Sequence, residues 1–247
     1  MEKKMRYGMI DTLRGFALIN MLLFHLLYDL KYIVEADIPW YTTESSYWWQ
    51  QGICWGFVLI SGISWNLGKR RLRRGLEVFL AGLVITAVTY LVIPSERIFF
   101  GVLSFLGAAM LLMIPADRWL RKWNPVAGLG VSLVLFGFCK HIADGYLGFF
   151  GVPVIRLPEQ LYANHLTTAL GFPFQGFYSS DYVPLLPGFF MFAAGYFLWK
   201  WIGQKEKVLA ALRPSVPGLA WMGRNSLWIY MLHQPVLMGI LMFLFGI

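Results

Sequence analysis

The chain has 247 residues, of which 58% are hydrophobic, 17% aromatic and only 14% charged, with a formal net charge of +8. A soluble domain carries about 25% charged residues, so this apolar excess excludes an ordinary soluble fold, a disordered chain and a disulfide-built scaffold alike. The two cysteines, Cys54 and Cys139, both sit inside apolar runs.

A helix needs roughly 17–25 apolar residues to cross a bilayer. Seven runs meet that length in chain order: 8–30, 47–67, 76–93, 98–114, 126–143, 183–201 and 226–247. They are long and mostly non-alternating, which favours helices over a barrel. The expected fold is all-α, a polytopic bundle of about seven spanning helices forming a single integral-membrane domain over 1–247. The stretch 157–174 is moderately apolar, but it holds Glu159, Asn164 and His165 between Pro158 and Pro173. It is assigned to an outer loop as an interfacial or re-entrant helix, with an eighth span as the alternative.

Orientation follows from the basic residues near the ends of the runs. With the N-terminus cytoplasmic, the inner connections hold Lys3, Lys4 and Arg6, the cluster Lys69, Arg70, Arg71, Arg73 and Arg74, then Arg118, Arg121 and Lys122. Lys200, Lys205, Lys207 and Arg213 follow, whereas the outer connections hold Lys31, Arg97 and Arg156. The basic excess is therefore a matter of orientation and gives no reason to expect nucleic acid. The pattern suits a bacterial inner membrane. No cleavable signal peptide is evident, since the first run carries Asp11, Arg14 and His25 and lacks a small-residue cleavage site. No internal repeat, Walker-type, dinucleotide-binding or zinc-helix pattern is present, and no metal is expected.

Ionisable residues inside a spanning helix are expensive and mark functional sites. The first run has Asp11, Arg14, His25 and Asp29, which fall within about a 60° stripe at helical periodicity. Arg14 and His25 stand about 16 Å apart along that stripe. A cytoplasmic polyanion could hold its phosphates near Arg14 while an extended arm reaches His25. An acyl-coenzyme A, with its nucleotide head and thioester-tipped pantetheine tail, has that shape.

These residues carry a resemblance. "RYGMIDTLRGFALINMLLFHLLYDL" resembles the opening helix of the heparan-alpha-glucosaminide N-acetyltransferase family. The same segment is similar to bacterial membrane O-acyltransferases of surface polysaccharides, within one transmembrane acyltransferase superfamily. "WGFVLISGISWNLGKRRLRRG", "RIFFGVLSFLGAAMLL", "SSDYVPLLPGFFMFAAG" and "GRNSLWIYMLHQPV" extend the likeness over most of the chain. The resemblance implies transfer of an acetyl group from cytoplasmic acetyl-CoA to an extracytoplasmic sugar or amino-sugar. It also implies that Arg14 and His25 match the functional arginine and histidine of the first helix, and Asp11 the aspartate before that arginine. Relatives often carry a polar or histidine residue where Ser104 stands, so the chain departs from them there.

Acyl transfer needs a base for the attacking group. His25 is the candidate catalytic residue, either as general base or as covalent acyl acceptor, with Asp29 one turn later to orient its ring. Candidate acetyl-CoA contacts are Arg14, Asp11, Lys69, Arg70, Arg224 and Asn225. The Lys69–Arg74 cluster alternatively sets topology and meets anionic lipids. Asp181 and Tyr182 beside the aromatic outer loop, and His233 before Pro235, are candidates for the carbohydrate acceptor; His233 is alternatively a buried structural histidine. Membrane lipids are expected partners and an oligomer is possible. Two other readings remain open: a small-solute or ion transporter using the stripe, which predicts flux without CoA, and a non-catalytic assembly factor that tolerates His25→Ala.

Overall fold

The computed structural model describes residues 6–246. Lys3 and Lys4, expected at the cytoplasmic start, and Ile247, the end of the last expected run, lie outside the described residues. Ten α-helices and one hairpin follow in chain order: α1 Gly8–Tyr32, α2 Glu44–Leu67, α3 Arg71–Val92, α4 Val102–Leu120, α5 Pro125–Cys139, β1 Tyr146–Phe149, β2 Val152–Arg156, α6 His165–Leu170, α7 Leu185–Ile202, α8 Glu206–Leu212, α9 Pro217–Arg224 and α10 Ser226–Phe245. Each of the seven expected runs is a helix. Six of these helices are long and apolar enough to cross a membrane. The remaining one, α2, has 24 residues and is about 36 Å long; Gln50, Gln51 and its indoles make it more polar. The chain is thus an all-α polytopic bundle.

The stretch 157–174 holds a single turn, Glu159–Tyr162, and the six-residue α6, which at about 9 Å cannot span a bilayer. The stretch therefore forms no eighth spanning helix. The hairpin was not foreseen from the sequence. Phe149 pairs with Val152 across the two-residue loop Phe150–Gly151, and both loop residues have positive φ, 51° and 82°, as a type I′ turn demands. α4 begins four residues later than expected, because Phe100 at φ 54° breaks the chain before Gly101 caps the helix.

The helices group into two compact units. One holds the chain up to Ile60 and from Gly203 onward; the other runs from Ser61 to Ile202. In the first, α1 packs directly on α9. A Cβ on Gly15 would lie 1.9 Å from the Leu219 carbonyl oxygen, and one on Gly223 would lie 1.9 Å from that of Asp11. Backbone meets backbone there, the close approach small residues permit between membrane helices. Phe24, Tyr41 and Trp49 pack at the other end of α1, and the Trp49 indole donates to Asn20 at 3.0 Å.

In the second unit, α3 lies against α4 and α5 against α7, around the fully buried Phe192, Phe197 and Met113. Ser104 is buried with its backbone pressed on Gly82. The basic ends converge. Arg71 at the start of α3 pairs with Asp117 near the end of α4 at 3.6 Å, and Lys200 at the end of α7 donates to the Arg121 carbonyl at 2.8 Å. At the opposite end, Asp181 accepts from the Val102 amide at 3.2 Å and caps α4. Basic residues gathered at one end of the unit are what the charge asymmetry requires.

Candidate active site

The polar stripe of α1 lies within the first unit, and its four residues fall into two groups. At the N-terminal end, Asp11 and Arg14 are each only 7% exposed. Arg14 Nη1 donates to Asp11 Oδ1 at 3.2 Å and to the Gly223 carbonyl at 3.2 Å. The second carboxylate oxygen of Asp11 accepts from Arg6 Nε at 2.8 Å. The spacing i, i+3 places aspartate and arginine one above the other on the helix, and the glycine contact lets the guanidinium reach the backbone of α9. Arg224, next in the chain after Gly223, is exposed. The Asn225 side chain donates to the Trp221 carbonyl at 2.9 Å and closes α9.

Eleven residues along α1, His25 faces His233 of α10. Their ring centroids are 4.8 Å apart at an interplanar angle of 78°. His25 Nδ1 lies 2.9 Å from the Met21 carbonyl oxygen, and His233 Nδ1 lies 2.6 Å from that of Tyr230. A carbonyl oxygen only accepts, so each Nδ1 carries a proton, and in the neutral form of either ring the lone pair is at Nε2. No hydrogen bond engages His25 Nε2 among the described residues. His233 Nε2 is buried and likewise makes none. Two imidazoles from two helices therefore stand side by side, each ring held in place by a backbone bond.

Asp29 is fully buried, and its side chain is engaged by Gln234. The proton that an orienting carboxylate would take from His25 goes instead to Met21, while both Asp29 oxygens accept from Gln234 Nε2, at 2.8 and 3.0 Å. Asp29 therefore orients Gln234. Sequence reading passed over Gln234, an uncharged side chain beside a proline, and its buried Oε1 is unpartnered among the described residues. Gln234→Leu is expected to destabilise the protein by about 0.5–1.5 kcal/mol for each hydrogen bond lost, the net contribution of a typical one. A thermal melt unchanged from the parent would contradict that.

The other expected site residues belong to the second unit. Lys69 and Arg70 are exposed just before α3. Asp181 caps α4 as described, and the Tyr182 hydroxyl donates to the Thr168 carbonyl. Burial pushes the Tyr182 phenol above its ordinary pKa, so it stays a donor. Sequence reading also missed a polar network in this unit. Asp117 accepts from the Tyr196 hydroxyl at 2.6 Å and pairs with Arg71, whose guanidinium sits 3.8 Å over the Trp65 ring. The only sequence cue was an aspartate two residues beyond a proline in an apolar run. Among the described residues, no three His, Cys, Asp or Glu side chains gather as metal ligands.

No curated protein and no solved structure matches the chain. A family model described as heparan-alpha-glucosaminide N-acetyltransferase, catalytic, matches residues 6–235. That match runs from Arg6, beside Asp11, to Pro235, directly after His233 and Gln234, and so takes in every group of the α1–α10 site. The chain belongs to the heparan-alpha-glucosaminide N-acetyltransferase family, a family of membrane acetyltransferases.

Proposed function

We propose that the chain, acting as one catalytic domain, moves an acetyl group from cytoplasmic acetyl-CoA to a sugar or amino-sugar acceptor on the far side of the membrane, with His25 at the transfer point. The observation that carries this reading is the Nε2 lone pair of His25, left available because Met21 holds the opposite nitrogen. Acetyl-CoA supplies the activated acyl thioester. His25 Nε2 takes the proton from the acceptor as its nitrogen or oxygen bonds to the acyl carbon, and returns that proton to the sulfur as the C–S bond breaks. His233 Nε2, beside it, accepts a hydrogen bond from the incoming group. Gln234, held by Asp29, offers Oε1 as a second acceptor.

The head group falls to the opposite end of the α1 stripe. Arg6 and Arg14 share the single carboxylate of Asp11, with Arg224 exposed next to Gly223. This basic character suits phosphates, and about 16 Å along the helix separates it from His25, a distance a pantetheine arm covers. The charge asymmetry supports a bacterial inner-membrane location with the N-terminus inside.

Thermal stabilisation tests the donor. Acetyl-CoA at a hundred times its Kd is expected to stabilise the protein by about 2.7 kcal/mol. Arg14→Ala, compared with its own ligand-free melt, should lose most of that shift. An undiminished shift in this variant would remove Arg14 from the donor site, and no shift in the parent at any concentration would count against acetyl-CoA as donor.

A further inference from the structure

The connection after α5 exposes a hairpin that is apolar on both faces. Phe150 at its turn is 99% exposed, and Val152, Val154 and Ile155 are exposed by 63%, 64% and 50%. A lone two-stranded hairpin is marginal in water, and apolar edge strands invite aggregation. This one is tied down at its base. The His141 ring stacks on Tyr146 at 5.0 Å and 9°, and the Leu157 amide donates to the Gly145 carbonyl at 2.9 Å.

Its position relative to the bilayer follows from α5. The Phe149 ring lies 5.3 Å from that of Phe138, and its nearest atom is 3.4 Å from the place a Cβ on Gly137 would take. Gly137 and Phe138 form the last turn of a helix apolar enough to span the membrane, and Val131, Leu133 and Val134 of that helix are exposed. The hairpin is thus folded back against the end of a span whose own apolar side chains are exposed. Its backbone limits how deep it can go. Among the described residues the sheet has two strands, so each outward edge keeps N–H and C=O groups that need water or headgroups. Arg156 at the end of β2 adds a charge that favours the headgroup layer. Apolar side chains on a backbone that must stay wet match the interfacial zone, where aromatic belts sit.

We propose that the β1–β2 hairpin is a membrane-surface anchor. It seats Phe150, Val152 and Val154 in the interfacial layer of the leaflet at the C-terminal end of α5, the outer leaflet by the charge asymmetry. The occupant of this surface is phospholipid, and the inference does not depend on the transfer chemistry at His25.

Depth-dependent quenching tests it on the full chain in phosphatidylcholine–phosphatidylglycerol vesicles. Phe150→Cys and Val154→Cys are introduced separately with Cys54→Ala and Cys139→Ala, and each is labelled with a small fluorophore. Both labels should lose fluorescence to nitroxide lipids labelled near the glycerol more than to lipids labelled deep in the chain, and should resist aqueous iodide. Quenching by iodide alone would put the hairpin in water and overturn the proposal. Protection from iodide and both nitroxides would mean that a second copy or another protein covers it, and would overturn it equally. On the unsubstituted chain, photoactivatable phosphatidylcholine should leave adducts on the peptide 146–156; a labelled protein without adducts there would also refute the anchor.

Discussion

His25→Ala is expected to lower acetyl transfer by about 10²–10⁴-fold, the range a positioned general base contributes, while the thermal shift given by acetyl-CoA stays at the parent value. The separation follows from position. The donor head group is assigned to the Arg6–Asp11–Arg14 end of α1, three helical turns from the imidazole. Alanine removes the Nε2 lone pair and frees the Met21 carbonyl, yet touches none of the Asp11 or Arg14 contacts. Full transfer by this variant would sink the assignment of His25. Digestion after exposure to acetyl-CoA without acceptor distinguishes the two uses of the same lone pair. An acetylated His25 peptide marks a covalent route, and an unmodified one marks direct transfer.

Gly223→Ala is expected to have the largest effect on folding. Its Cβ would sit 1.9 Å from the Asp11 carbonyl oxygen, and the obstacle is helix backbone, which has no rotamer to change. Separating α1 from α9 would also break the bond from Arg14 to the Gly223 carbonyl. Overpacking a well-filled interior costs about 1–3 kcal/mol, occasionally more; with two rigid backbones opposed, the expected cost is at or above the top of that range. Gly218→Ala is the control. It lies in the same helix with nothing within 4 Å of its Cβ, so alanine there should stabilise by about 0.5–1 kcal/mol. Similar melting temperatures for the two variants would contradict the close packing of α1 on α9.

Much of the architecture was readable because membrane helices announce themselves by length and apolarity, and each expected run proved helical. Boundaries were less readable where the signal was local. Phe100, a bulky residue at positive φ, delays α4, and only the single Gly101 that caps the helix stands beside the break. The hairpin escaped notice because its turn is Phe-Gly, whose first position is unusual for a type I′ turn. It also sits among apolar residues that read as loop or helix equally well.

The site divides in the same way. Asp11, Arg14, His25 and Asp29 stood out because charge is scarce in an apolar helix, and helical periodicity alone put them on one stripe. Their partners could not be read this way. His233 and Gln234 lie more than two hundred residues along the chain, and a side chain's neighbours across an interface depend on which helix packs there. The identity of the family, the membrane architecture and the polar stripe of α1 came from composition, spacing and motif. The Nε2 lone pairs of His25 and His233, the turn of Asp29 from the imidazole to Gln234, and the glycine contact that brings Arg14 to the backbone of α9 came from packing. The physical reason is that apolarity and periodicity are properties of consecutive residues, whereas a hydrogen bond between helices exists only once their relative placement is set.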